Sequence, residues 1–334
     1  MTTYAIFGAG SIGCYVGGLL AAGGREVIFI GRDRLAQTVR ENGLTLSDFE
    51  HSETAVAPGY IRFETDPAML SEADVVLVCV KSMASEVAAA AIAEHAPAKA
   101  VVISLQNGVS NADTLKSGVA SQPVAGGMVP YNVVNLGDGR FHKGTPGDLI
   151  VEVLPETAAI IVDMAAAGLA TQATDNIQGV LWGKLLINLN NALNMLSDQP
   201  LKQQLLDVNF RRVWGMCIKE GLSVLQAAKI KPVKSGPLDP AFFARILSLP
   251  NFILMRIAPA FNKIDDNARS SMWEDLQAAR VPEIDYINGA IVDLGREVGV
   301  SARVNEKIIR IVKESFADGK SPAFDGATLL KMIS

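Results

Sequence analysis

The sequence predicts an α/β domain with a doubly wound, mostly parallel sheet, followed by an all-α domain. In the first half of the chain, continuous apolar runs of strand length alternate with Ala-rich helical stretches. Such runs are typical of parallel strands that are covered on both faces. From about residue 175 onward, stretches with helical spacing follow one another without a convincing strand. We therefore expect two domains, 1–174 and 175–334.

The individual elements follow from these patterns. The predicted strands are Tyr4–Phe7, Val27–Ile30, Asp74–Val80, Val101–Leu105 and Val151–Val153. Helices of the first domain are predicted up to Ala22 and over Leu35–Arg40, Ser85–His95 and Thr157–Ala167. Those of the second are Trp182–Leu196, Leu205–Ala228, Pro240–Leu247, Ser270–Ala279, Pro282–Val298 and Asn305–Phe316. Pro, Gly and Ser residues mark Lys231–Pro240 as a surface loop.

The composition excludes several classes of protein. A chain of 334 residues that is 49% hydrophobic is neither disordered nor fibrous. Its 30 basic and 35 acidic residues give a net charge of −5, which argues against nucleic acid or an anionic membrane as the main partner. No apolar run has transmembrane length, and no charged leader precedes an apolar stretch. We expect a soluble, cytoplasmic protein.

The residue types that bind metals are scattered, so we predict no metal site. The cysteines are far apart, match no metal spacing and are predicted to be reduced core residues: Cys14, Cys79 and Cys217. The histidines, which we place on surface loops or helix ends, are His51, His95 and His142.

A glycine motif lies directly after the first predicted strand and opens the first helix. It consists of Gly8, Ala9, Gly10, Ser11, Ile12 and Gly13. In this context the first glycine allows a tight turn, the second lets the backbone approach a pyrophosphate, and the third permits close packing of the helix. The anion is held at the helix N-terminus. The motif predicts a dinucleotide-binding Rossmann domain, with a glycine-rich turn without a ligand as the alternative.

The first side chain beyond the second predicted strand, that of the residue after Gly31, indicates which dinucleotide is bound. An NAD site usually has an acidic residue here, whereas this chain has Arg32. A guanidinium group suits a 2′-phosphate, because the two form charge-assisted, bidentate hydrogen bonds. Asp33 is better explained as the N-cap of the next helix. We predict NADP(H), with an ordinary surface role for Arg32 as the alternative.

A polar stripe crosses the otherwise apolar helix Trp182–Leu196. Lys184, Asn188 and Asn191 are spaced by four and three residues, which puts them on one face. Because burying unpaired polar groups is costly, this face either lines a wet cleft or is ordinary solvated surface. Glu283, directly after Pro282, is by itself better explained by the chemistry of a helix start than by a functional role.

Taken in order, these motifs resemble the ketopantoate reductase family, the 2-dehydropantoate 2-reductases of pantothenate synthesis. The motifs are Gly8–Gly13, Val80-Lys81, Gln106-Asn107-Gly108, Trp182-x-Lys184-x-x-x-Asn188, and Ser270-Ser271-Met272 followed by Glu283–Gly289. The resemblance covers nearly the whole chain. It implies that NADPH and a 2-keto acid bind in the cleft between a Rossmann domain and a helical domain.

The resemblance also implies the residues that carry the reaction. Lys184 matches the catalytic proton donor of the family. Lys81 matches a lysine near the nicotinamide end and the substrate carboxylate, and Asn107 matches an asparagine that touches cofactor and substrate. The chemistry fits, since hydride addition to a ketone leaves negative charge on oxygen, which a nearby ammonium group stabilises and then protonates.

Substrate-binding residues are implied in the same way. Asn188 and Ser271 match substrate-binding positions, and Glu283 matches a glutamate that closes the site around the cofactor ribose and the substrate. Ala192 departs from the family, which often has asparagine eight residues after the lysine. Either Asn191 makes that contact, or the pocket differs.

We therefore expect NADPH-dependent reduction of 2-dehydropantoate to pantoate. The first alternative is a related reductase for another 2-keto or 3-hydroxy acid. The second, from another class, is a non-catalytic NADPH-binding sensor. The amphipathic C-terminal helices are compatible with a homodimer.

Overall fold

The computed structural model describes residues 2–234, 238–258, 264, 266 and 268–334. The chain divides into two compact units, Met1–Ile177 and Gln178–Ser334, so the division falls three residues after the boundary that we predicted. The helices of the described residues include none that is long and apolar enough to cross a membrane. Within the same residues, no three His, Cys, Asp or Glu side chains cluster as metal ligands would.

The first unit alternates strands and helices along most of its length. Its strands are β1 (Thr3–Phe7), β2 (Glu26–Ile30), β3 (Leu44–Asp48), β4 (Glu53–Val56), β5 (Arg62–Glu64), β6 (Val75–Val78), β7 (Val101–Ser104), β8 (Val124–Met128), β9 (Val133–Gly137), β10 (Arg140–Lys143), β11 (Leu149–Glu152) and β12 (Thr171–Thr174). Its helices are α1 (Ser11–Ala22), α2 (Asp33–Asn42), α3 (Ser85–His95), α4 (Asn111–Gly118) and α5 (Ala158–Ala166).

Eight of these strands form the predicted doubly wound sheet, in the order β12-β11-β8-β7-β6-β1-β2-β5. All neighbours are parallel except β8 and β11. Its two faces bury separate cores, as continuous apolar strands require. Ile6 and Leu77 belong to the core beneath α1 and α5, whereas Ala5 and Val76 belong to the core beneath α3 and α4.

A second, four-stranded sheet with the order β4-β3-β10-β9 was not predicted. Its strands are short and carry many polar residues, so they lack the continuous apolar pattern that identified the main sheet. It corrects one prediction, because His142 lies within β10 rather than in a loop or at a helix end. Its Nδ1 atom is 2.9 Å from the hydroxyl oxygen of Ser47 in β3.

In the described part of the second unit, all secondary structure elements are helices, as predicted. Its helices are α6 (Ile177–Asn188, which begins at the last residue of the first unit), α7 (Asn190–Ser197), α8 (Leu201–Leu206), α9 (Val208–Ala227), α10 (Pro240–Ile246), α11 (Asn251–Ile257), α12 (Ser271–Gln277), α13 (Ile284–Val298), α14 (Arg303–Ala317) and α15 (Gly326–Ile333). The apolar helix 182–196 is therefore two helices that part at Leu189. The segment 205–228 also divides, because the Asp207 side chain caps α9 through the N–H of Asn209.

Three smaller predictions concern the first residues of two helices and one loop. Helix α2 begins at Asp33, so Arg32 rather than Asp33 occupies the N-cap position; Asp33 lies in the first turn, where its charge suits the helix dipole. Helix α13 begins at Ile284, two residues after the predicted Pro282. In the predicted loop 231–240, residues 235–237 lie outside the described residues.

Candidate active site

The glycine turn joins β1 to α1 in the first unit. Gly8 has φ +99°, and a Cβ there would lie 2.6 Å from the backbone nitrogen of Val80, beyond the end of the neighbouring strand β6. A Cβ on Gly13 would lie 2.6 Å from the carbonyl oxygen of Gly8. Both positions therefore require glycine for the close approach of backbone to backbone.

Gly10 differs from these two glycines because it is exposed. A Cβ built on it would have no atom of the described chain within 4 Å. The first intrahelical hydrogen bond of α1 comes from the N–H of Cys14, which donates to the carbonyl of Gly10. The N–H groups of Ser11, Ile12 and Gly13 come before this first hydrogen bond. Helix geometry leaves them without an intrahelical acceptor, beside the exposed Gly10. This geometry fits the diphosphate of a dinucleotide.

Arg32 is exposed and lies two residues beyond the end of β2, next to the same turn. The N–H groups of Gly8 and Ala9 both donate to the carbonyl of Ile30, at 3.0 Å each, which fixes the turn against the end of β2. The structure therefore brings the glycine motif and Arg32 together at one edge of the sheet, as the sequence predicts for neighbouring parallel strands.

Lys81 and Asn107 follow the adjacent strands β6 and β7, and both are half-buried. The hydroxyl of Ser82 donates to the carbonyl oxygen of Asn107 at 2.8 Å, and the side chain of Asn111 donates to the same oxygen. These bonds join the two loops, so the segments that carry Lys81 and Asn107 are held together at the carboxyl edge of the sheet.

A buried cluster of hydroxyl and amide groups supports this junction and was missed by the sequence analysis. The Ser85 hydroxyl lies 2.8 Å from both the Asn111 amide oxygen and the Gln106 amide nitrogen. Ser104 donates to Gln106 at 3.1 Å. The available signal was the concentration of Ser, Gln and Asn residues directly after two continuous apolar strands.

In the second unit, Lys184 is carried by α6, directly after Gly183. A Cβ on Gly183 would lie 1.8 Å from the carbonyl oxygen of Val233, and the N–H of Val233 donates to the carbonyl of Gly179 at 2.7 Å. The backbone of Val233 therefore lies against the backbone of α6 one residue before Lys184. Only glycine leaves the room for it.

Lys184 is a partly buried lysine with a perturbed acidity. Burial lowers its pKa from an ordinary value of 10.5 to about 8, and the nearby carboxylate of Glu283 acts in the opposite direction. Glu283 lies immediately before α13 and is only 7% exposed. An amine whose pKa lies near neutrality can release a proton at physiological pH far more easily than an ordinary lysine.

The asparagines that follow Lys184 have different environments. Asn188, one turn further along α6, is half-buried, and Asn191 is half-buried on α7. Lys184 and Asn188 thus lie on α6 and Asn191 on α7, whereas the sequence predicts a single helix for all three. Asn190 is buried and forms a reciprocal amide pair with Gln204, at 3.2 and 3.1 Å.

Ser271 is the exposed first residue of α12, and Ser270 before it is the N-cap. The Ser270 hydroxyl accepts from the N–H of Trp273 at 3.2 Å. Ala192, at the position that departs from the family, is fully buried. It therefore packs in the helical core.

A doubly wound sheet with a glycine turn after its first strand, joined to a helical unit with a partly buried lysine, is typical of Rossmann-fold oxidoreductases. Residues 4–156 match the profile described as "Ketopantoate reductase PanE/ApbA", and residues 176–315 match that of its C-terminal domain. The chain belongs to the ketopantoate reductase family.

Individual relatives agree with this assignment. A 2-dehydropantoate 2-reductase of Halobacterium salinarum is 28% identical over 319 residues, 93% of this chain and 98% of the relative. The crystal structure of a PanE/ApbA family ketopantoate reductase from Ralstonia eutropha JMP134 has a TM-score of 0.82 and 32% identity, covering 95% of this chain and 99% of that one. D-mandelate dehydrogenase, solved with NADH and anilino(oxo)acetate, shares the fold at TM-score 0.77 and 21% identity, with 95% and 99% coverage.

Proposed function

We propose that this enzyme reduces 2-dehydropantoate to pantoate with NADPH, and that Lys184 donates the proton. The observation that carries the proposal is the lowered pKa of Lys184, about 8, on a helix of the unit that matches the C-terminal ketopantoate reductase domain. A lysine used only for solubility has no need of burial, which is costly for an ammonium group.

The hydride and the proton of the proposed reaction come from different groups. NADPH, when bound, supplies the hydride for the carbonyl carbon of the keto acid. The resulting charge on oxygen is stabilised by the Lys184 ammonium, which then gives up its proton. With a pKa of about 8 rather than 10.5, Lys184 is about 300-fold more acidic than an ordinary lysine and still about 90% protonated at pH 7.

The remaining predicted residues bind and orient the two ligands. We assign the diphosphate to the glycine turn, Gly8–Gly13, and the nicotinamide end to Lys81 and Asn107. Lys81 and Asn107 also bind the substrate, together with Asn188, Asn191 and Ser271. Glu283 closes the site around the ribose and the substrate.

Steady-state kinetics test the assignment of Lys184. Wild-type enzyme should oxidise NADPH in the presence of 2-dehydropantoate, and Lys184→Ala should lower kcat by about a hundredfold or more, as the removal of a general acid does. Lys219→Ala is the matched control, because Lys219 is exposed on α9. Tight NADPH binding without turnover of any keto acid would instead identify the non-catalytic sensor.

The choice of NADPH over NADH depends on Arg32. Arg32→Ala should raise KM for NADPH by about tenfold, the size expected for one charge-assisted contact, while KM for NADH stays unchanged. Arg34→Ala is the control, since Arg34 is also exposed and lies on α2. Equal losses with both cofactors would contradict the assignment of the 2′-phosphate.

A second candidate substrate is another 2-keto acid, and Ala192 favours it. This residue is buried where the family often has a substrate-binding asparagine, so one polar contact to the substrate is absent unless Asn191 replaces it. Comparing kcat/KM for 2-dehydropantoate with that for other 2-keto acids, including aromatic ones, distinguishes the two. A higher value for another acid would change the substrate and leave the reaction class intact.

A further inference from the structure

A buried asparagine on α7 joins two separate segments of the helical unit. Asn194 is fully buried. Its amide oxygen accepts the N–H of Ser270 at 2.8 Å, and its amide nitrogen donates to the carbonyl of Gln199 at 3.0 Å. Both halves of this amide are used, and one of them binds the residue before α12.

Ser270 is tied to α7 a second time. Its hydroxyl donates to the carbonyl oxygen of Asn191 at 3.0 Å and accepts from the N–H of Trp273, which caps α12. The backbone and the side chain of Ser270 are thus both bound by α7. Ser271 follows directly, so its position relative to α7 is set by these bonds.

Helix α12 has only seven residues, and a helix this short has little stability of its own. Its location must therefore come from tertiary contacts. Besides those of Ser270, the indole nitrogen of Trp273 donates to Asp198, at the end of α7, at 2.6 Å. Ser271 itself is exposed, so its hydroxyl can reach a ligand only from the place where α7 holds it.

We propose that Asn194 and Ser270 are positioning residues that set the affinity for the keto acid by holding the Ser271 hydroxyl in place. The inference rests on the proposed function, in which Ser271 binds the substrate. Asn194 and Ser270 act through Ser271. Losing them therefore weakens substrate binding and leaves the proton transfer from Lys184 intact.

A double-mutant cycle on the full-length enzyme tests this. Asn194→Ala should raise KM for the keto acid about tenfold, the size of one buried hydrogen bond, with kcat within about twofold of wild type and KM for NADPH unchanged. Ser271→Ala should raise the same KM. The double variant should resemble Ser271→Ala alone, because the positioning has no effect once the hydroxyl is gone.

Asn190→Ala is the matched control for lost stability. Asn190 lies on the same helix and is also buried, and its two amide hydrogen bonds to described residues both go to Gln204. It should lower the melting temperature by an amount similar to Asn194→Ala and leave KM unchanged. If Asn194→Ala does not fold, Ser270→Gly supplies the test, because glycine is tolerated at an N-cap and removes the bond to Asn191.

The outcomes separate this inference from the proposed function. A wild-type enzyme that reduces no 2-keto acid overturns both. An unchanged KM in Ser271→Ala overturns the inference and the assignment of Ser271, and leaves the reduction by NADPH and the role of Lys184 intact. An active wild type whose KM rises in Ser271→Ala but not in Asn194→Ala or Ser270→Gly overturns only the inference. Fully additive effects in the double variant overturn it too.

Discussion

The reduction should become slower between pH 7 and pH 9, a range in which an ordinary lysine stays protonated. With a pKa of about 8, about nine tenths of Lys184 is protonated at pH 7 and about one tenth at pH 9. If Lys184 donates the proton, kcat/KM for the keto acid should fall about tenfold between these values. A lysine with the usual pKa of 10.5 would still be about 97% protonated at pH 9.

The assay is the initial rate of NADPH oxidation between pH 6 and 10 at low keto acid concentration, since kcat/KM reports the groups of the free enzyme. The plot of kcat/KM against pH should have an inflection near the pKa of Lys184. Glu283→Gln should move this inflection to lower pH, because the carboxylate of Glu283 raises the pKa of Lys184. Asp285→Asn is the control, since Asp285 is exposed and pairs with Lys313 at 2.8 Å. A profile that is flat to pH 10, or an inflection unmoved in Glu283→Gln, would refute the reasoning.

Two further predictions concern the stability of the helical unit, measured by urea unfolding. Gly183→Ala should cost about 1–3 kcal/mol, because its Cβ would lie 1.8 Å from the carbonyl oxygen of Val233. Gly289→Ala, in α13 of the same unit, would place its Cβ 3.5 Å from Asp285 Cβ, an ordinary contact, and should cost much less. Equal costs would contradict the steric argument. Glu220→Ala should also cost about 1–3 kcal/mol, because its carboxylate accepts two N–H groups at the start of α14. Glu297 is exposed, so Glu297→Ala should change the free energy of unfolding by no more than about 0.5 kcal/mol. An equally small change in Glu220→Ala would argue against a stabilising role for its hydrogen bonds to the start of α14.

The fold class was predictable because its signals are local. Strands β1, β2, β6 and β7 are continuous apolar runs, and α3 has the predicted bounds, Ser85–His95. The second sheet was not predictable in this way. Strands such as β10 (Arg140–Lys143) owe their conformation to pairing with residues about 95 positions away in β3, and no local pattern reports such a partner.

The glycine turn, the arginine beyond β2, the lysine at 184 and the order of the two units can all be identified from the sequence alone. The acidity of Lys184 cannot be predicted in this way, since its pKa depends on burial and on Glu283, 99 positions away. The same holds for Asn194 and Ser270, whose hydrogen bond joins residues separated by 76 positions. The sequence specifies the type of each residue, whereas desolvation and hydrogen bonding depend on which distant groups folding brings into contact.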